Sequence, residues 1–161
     1  MADIASILGG TEFFHGIADE YLARVAAISK IVEFPARHDI FREHEPAKDV
    51  FILISGRVSL VICSPPVGCR QLMEVSDGEL IGWSPLVGRS RLSDTARTLT
   101  PTKAVAMDGD QILALCAKDP RFGFEFMQRA AQTLASRLSA TRIQLLKTGG
   151  EHLPQVRIES D

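Results

Sequence analysis

Apolar positions follow two different periods, and the switches between them divide the chain into three parts. Residues 3–8 and 18–29 repeat at helical spacing; in the second, Tyr21, Leu22, Val25, Ala26 and Ile28 form one stripe and Asp19 is placed to cap it. Between them, Phe13-Phe14-His15-Gly16-Ile17 predicts a turn that tucks its aromatic pair under the body of the domain. From Ile31 the spacing shortens. Apolar-rich segments recur at 31–34, 39–41, 50–54, 58–63, 70–74, 93–99 and 104–107, separated by turn signals such as Ser55-Gly56, Pro65-Pro66, Asp77-Gly78 and Asp108-Gly109. Many short strands at such intervals predict a mainly β fold, a sandwich or jelly roll. Val58, Leu60 and Ile62 alternate with Ser59 and Val61, so one face of that strand is expected in the core and the other partly wet.

The helical period returns after Asp110, with a short helix over 111–117 and the longest element over 120–147, where Gly149-Gly150 supplies a stop. Met127, Ala131, Leu134, Leu138, Thr141 and Leu145 fall at alternating steps of four and three, a coiled-coil seam. Phe126, Ala130, Thr133 and Ala140 make a second, adjacent stripe. One face can therefore lie on the β body while the other meets a partner helix, which predicts a homodimer through 120–147. Residues 148–161 show no period and are expected to form a mobile tail after a single domain over 1–147.

The chemistry concentrates between residues 78 and 91. Gly78, Gly82 and Gly88 allow positive φ and close approach of backbone to a ligand. Ser84-Pro85 reads as an N-cap followed by proline at the first helical position, an end that attracts anions. Glu79 precedes this turn; Arg89 and Arg91 follow it. A carboxylate for hydroxyls, exposed amides and a planar cationic fork together suit a sugar phosphate of single negative charge.

Gly78-Glu79-Leu80, eight further residues and then Arg89-Ser90 resemble the phosphate-binding cassette of cyclic-nucleotide-binding domains of the catabolite-activator type. The likeness extends over about residues 12 to 147. It implies a double-stranded β-helix (jelly roll) over 31–107, between N-terminal helices over 3–29 and C-terminal helices over 111–147. It also implies a cyclic purine nucleotide, cAMP or cGMP, as ligand. By resemblance, Gly78, Glu79, Leu80, Arg89, Ser90 and Arg91 would surround it, Glu79 accepting from the ribose 2′-hydroxyl and Arg89 or Arg91 holding the phosphate. Thr141 would offer its hydroxyl to the purine across a dimer. This sequence departs from the family in two places. Residues 91–94 separate the cassette from the next strand, with Arg91 in place of the usual small residue, and Asp94 can pair with either arginine. His44 stands where a glycine is usual. Trp83 lies inside the cassette, either as a hydrophobic anchor or as a plug.

Composition narrows the partners. The 161 residues carry a net charge of −2 with 45% hydrophobic and 24% charged residues, ordinary for a soluble domain and without a general attraction for nucleic acid or anionic membranes. No signal peptide or membrane span is readable, and the length leaves no room for a helix-turn-helix module, so neither DNA binding nor membrane insertion is expected. Cys63, Cys69 and Cys116 have no metal-type spacing; Cys63 and Cys69 flank a turn and are expected as reduced, half-buried thiols in a cytoplasmic protein. His38 and His44 lack a third metal ligand at useful spacing, and no nucleophile elbow, Walker loop or acid–base pair is present, so neither a metal nor catalysis is expected. The expectation is a stand-alone cyclic-nucleotide sensor that passes its signal through the long helix to an effector protein. A nucleotide-free dimerisation scaffold, or a sensor of another small molecule or anion, is the alternative.

Overall fold

The computed structural model describes residues 3–158. Residues 1 and 2, and the last three of the expected tail, lie outside the described residues. The chain runs through helices α1 (Ile4–Gly9) and α2 (Asp19–Ala27) into β1 (Ser29–Phe34), β2 (Asp39–Phe41), β3 (Asp49–Ser55), β4 (Val58–Ser64) and β5 (Gly68–Val75). It continues through β6 (Leu80–Ile81), a 3-10 turn (Ser84–Val87), β7 (Thr95–Thr98) and β8 (Thr102–Asp108), then α3 (Gly109–Lys118) and α4 (Pro120–Gly149). The strands form two antiparallel four-stranded sheets, in the orders β1-β8-β3-β6 and β2-β7-β4-β5. This is the mainly β jelly roll with flanking helices that the apolar pattern predicts.

The first sheet is the shared wall of two cores. Side chains alternate across a strand. Val50 and Ile52 of β3 and Val105 and Met107 of β8 therefore pack against the helices, with Phe13, Phe14, Phe122 and Phe126. Phe51 and Leu53, with Ala104 and Ala106, face the second sheet, where they meet Val58, Leu60 and Leu92. Both faces are buried, so β3 reads as a continuous apolar run in the sequence. Phe13 and Phe14 lie edge to face at 5.0 Å, and Phe126 closes on Phe13 at 5.5 Å. These rings fasten the first two turns of α4 to the body. Asp119 begins that helix by accepting from the Phe122 N–H at 3.3 Å, with Pro120 just inside.

Farther along, α4 emerges from the body. Phe122, Phe126 and Ala130 are buried, whereas Leu138, Ile143, Leu145 and Leu146 are each at least half exposed. The seam positions Leu138, Thr141 and Leu145 lie on this uncovered portion.

Several local expectations change. β6 has only two residues, too few to show a period, and the sequence reading omits it. Ala18, not Asp19, occupies the cap of α2, and Trp83, not Ser84, precedes the 3-10 turn with no side-chain cap bond. Ser84 is instead the first residue of that turn, buried with its hydroxyl 3.4 Å from that of Ser93. Cys63 and Cys69 are exposed and joined by a disulfide rather than held as reduced thiols. They face each other directly in the β4–β5 register. Cys116 is the free thiol, and burial pushes its pKa up.

Candidate ligand-binding hollow

A hollow of about 600 Å³ opens between α4 and the β5–β6 connection, a size that suits a small organic ligand. The turn Ser76-Asp77-Gly78-Glu79 forms one wall. The Glu79 N–H donates to the Ser76 carbonyl at 3.2 Å, and Gly78 has φ +81°. A side chain at Gly78 would be strained and would also bring a Cβ to 3.2 Å from the Glu12 backbone nitrogen. Asp77 holds the turn from outside by accepting from the Gly56 N–H at 3.1 Å. Glu79 is half-buried, and its Oε2 accepts from the Ser76 N–H at 2.6 Å. The carboxylate is thereby aimed before any ligand arrives.

Facing this wall, α4 presents Thr133, Ser136, Arg137 and Ala140, all on the lining. Residues 133, 136, 137 and 140 share one helical face, as steps of three and four require. The Arg137 guanidinium donates to the carbonyl of Leu80, joining the helix to β6 beside Glu79. Burial lowers its pKa, and the carboxylates of Glu79 and Asp94 push the other way. Arginine stays charged regardless, so this is a fixed cation on the lining of the hollow. Asp94 is mostly buried; that burial pushes its pKa up to about 6, Arg137 pulling it down and Glu43 adding to the rise.

Gly78, Glu79 and Leu80 come together on the hollow; Arg89, Ser90, Arg91 and Thr141 do not line it. Arg89 is exposed, with its guanidinium 5.9 Å from the centre of the Trp83 ring. Arg91 is exposed and donates to the His44 carbonyl at 2.9 Å. Backbone pairing sets this outward aim. The Ala47 N–H donates to the Ser90 carbonyl, the Leu92 N–H to the Glu45 carbonyl and the His44 N–H to the Leu92 carbonyl, each at 2.9 Å. Residues 90–92 thus run as a short ladder against 44–47, which turns Leu92 into the core and Arg91 out. His44 takes φ +70° in that ladder, the conformation a glycine would adopt freely. Trp83 packs on the helical core and is absent from the lining. Thr141 is exposed, and its hydroxyl donates to the Arg137 carbonyl at 2.8 Å.

Sequence reasoning did not single out Arg137, and the charges that act on Asp94 are those of Arg137 and Glu43 rather than those of Arg89 or Arg91. The available signal was the step of four from Arg137 to Thr141, which places both on one side of α4. Among the described residues, no group of three or more His, Cys, Asp or Glu side chains is placed to hold a metal ion, and no helix is long and apolar enough to cross a membrane.

Comparison with known proteins places these features in a family. The CRP-like cAMP-activated global transcriptional regulator of Mycobacterium tuberculosis is 27% identical over 139 residues, covering 86% of this chain and 60% of the regulator. This chain therefore spans less than two thirds of that relative's length. The catabolite activator protein of Thermus thermophilus is similar in structure, with 25% identity and a TM-score of 0.68 over 83% of this chain and 61% of that one. A cyclic nucleotide-binding domain from Methylobacillus flagellatus shares the fold at 19% identity, with a TM-score of 0.77 over 96% of this chain and 85% of its own. The family model of the cyclic nucleotide-binding domain matches residues 31–119, more than half of the chain, and the chain belongs to that family.

Proposed function

We propose that this protein is a cyclic-nucleotide sensor that binds a cyclic purine mononucleotide, cAMP before cGMP, between the Gly78–Leu80 wall and α4. The observation that carries the reading is the hollow itself, where the oriented carboxylate of Glu79 and the half-buried guanidinium of Arg137 both line ligand-sized space. Glu79 accepts from the ribose 2′-hydroxyl, and the backbone at Gly78 and Leu80 lines the sugar. The phosphate meets Arg137 first. Closing of segment 84–91 then brings Ser90 and either Arg89 or Arg91 inward from their exposed positions, and Thr141 reaches the base within a homodimer built on α4. A ligand touching both walls fixes the angle of α4 against the jelly roll, and an effector protein reads the uncovered half of the helix. Only the difference in ligand affinity between two helix positions is available to drive the change. The protein acts as a cytoplasmic regulator rather than an enzyme.

Thermal unfolding with cAMP, cGMP and inorganic phosphate tests this. A ligand at about a hundred times its Kd stabilises by about 2.7 kcal/mol, which moves the midpoint of a domain this size by roughly 5–11 °C. The expected result is that shift with cAMP, weakened by about tenfold or more in affinity in Glu79→Gln. The pair Arg89→Ala and Arg91→Ala identifies the arginine that closes. The exposed aim of Arg89 and Arg91 favours a second reading, a dimerisation scaffold that binds no nucleotide. Absence of any shift with either nucleotide would favour it.

A further inference from the structure

We propose that Gln132 on α4 selects the base, its carboxamide pairing with the edge of adenine within a single chain, so that the hollow prefers adenine to guanine. The inference rests on the ligand reading above and adds the residue that sets its specificity.

Three observations lead to it. First, the hollow extends unequally along α4. Arg137 marks the Glu79 wall, because its guanidinium donates to the Leu80 carbonyl. From there the lining stops three residues on, at Ala140, and runs back nine residues to Gln128, roughly 13 Å at 1.5 Å per residue. Thr141 lies outside it, with its hydroxyl donating to the Arg137 carbonyl. A nucleotide with its sugar at Glu79 and its phosphate at Arg137 therefore has room for its base toward the N-terminal part of the helix. Second, several polar groups on that stretch are already engaged. Arg129 donates to the carbonyls of His15 at 2.7 Å and Glu125 at 3.1 Å, and the Thr133 hydroxyl donates to the Arg129 carbonyl at 3.1 Å. The Gln132 carboxamide and the Ser136 hydroxyl, both exposed on the lining, are held by no such bond among the described residues. Third, the β5 side of the hollow carries apolar surface. Val75 and Phe13 are buried there and Met73 is half-buried, so a flat ring can rest its face on them and leave its edge to α4.

Gln132 lies five residues before Arg137, roughly 7.5 Å along the axis, a separation that a purine attached to the sugar bridges. Gln128, one turn farther, closes the end of the hollow. A carboxamide presents a donor and an acceptor side by side. Adenine offers the matching pair, the N7 acceptor and the N6 amino donor; guanine offers two acceptors, N7 and O6, and leaves the carboxamide oxygen unmatched. The Ser136 hydroxyl rotates to donate or accept, so it adds affinity for either base and does not discriminate. The selection needs no second chain.

Calorimetric titration of the full chain with cAMP and with cGMP tests the proposal. The wild type is expected to bind cAMP about tenfold more tightly than cGMP. Gln132→Ala should bring the two nucleotides level through the loss of cAMP affinity. Gln132→Arg should reverse their order, since a guanidinium pairs with N7 and O6 of guanine. Gln132 is exposed on the helix, so both variants should keep the wild-type circular dichroism spectrum. An unchanged preference for cAMP in Gln132→Ala would overturn the proposal and leave the nucleotide reading intact. A wild type that binds cGMP as tightly as cAMP, or more tightly, would do the same. Binding of neither nucleotide by the wild type would overturn both.

Discussion

Replacing Asp94 with asparagine keeps the size of the side chain and removes a charge that the fold must otherwise hold away from water, and the unliganded protein should register the change as stability. The carboxyl pKa rises from 3.8 to about 6 on folding. That is roughly two units, or about 3 kcal/mol at about 1.4 kcal/mol per unit. The sign follows from proton counting. Below the unfolded value both states are protonated, and Asp94 contributes nothing to the pH dependence. Between that value and about 6 the unfolded chain releases its proton while the folded chain keeps it, so stability falls as pH rises, and above that window the loss is complete. Asp3, Glu74 and Asp119 act oppositely, each held below the usual carboxylate range by backbone or side-chain hydrogen bonds. Comparing wild type with Asp94→Asn at each pH cancels their contribution. The assay is thermal unfolding of both proteins from about pH 4 to about pH 8. At the low end the midpoints should nearly coincide. At the high end the variant should melt higher by roughly 6–12 °C, from 2–4 °C per kcal/mol in a domain of this size. Parallel midpoints throughout would mean that the Asp94 carboxylate stays hydrated, and the electrostatic account of the hollow would fail with it.

Gly56→Ala should destabilise by about 2–4 kcal/mol in urea denaturation, because φ is +115° there and a Cβ would lie 2.5 Å from Thr102 Oγ1 and 2.8 Å from the Pro101 carbonyl. A loss under about 0.5 kcal/mol would show that the hairpin yields more easily than its packing implies. His44→Gly should be neutral to stabilising, by up to about 1 kcal/mol, since relief of the left-handed conformation outweighs the added chain entropy and the side chain is 80% exposed. A clear loss in the same denaturation would contradict this. Leu138→Glu should convert the proposed dimer to monomer in sedimentation equilibrium with circular dichroism unchanged, as Leu138 is 58% exposed in the single chain. A dimer that persists in the variant would move the interface elsewhere.

Much of the architecture was legible because burial imposes its own rhythm. The run 50–54 could be read as a strand from its turn signals and β-branched content, and both faces of β3 prove to be covered. β6 escaped notice because two residues carry no periodicity, although they bring Leu80 to the hollow. The turn that presents Glu79 was visible in Asp77-Gly78, since a local conformation leaves a local signal. Arg137 left none. On the helix surface it looks like any solvated arginine, and its place on the hollow comes from the tertiary approach of β6 to the helix. The outward aim of Arg91 was hidden for the same reason, because it depends on pairing with residues far earlier in the chain. The Cys63–Cys69 register was suggested by the flanking turn, but the reduced state expected of the two thiols gives way to a disulfide.

The division of α4 into a fastened half and an uncovered half has a mechanical consequence. Ala130 is the last of its fully buried anchors, and the helix ends at Gly149. At 1.5 Å per residue, roughly 28 Å of rod extends past the pivot. A tilt of about 10° at the phenylalanine cluster would sweep the far end through roughly 5 Å, as far as one helical turn is tall. Arg137 lies about 10 Å past that pivot, so a displacement of about 2 Å at the hollow would reach the tip as roughly 5 Å, a step that a neighbouring chain can feel.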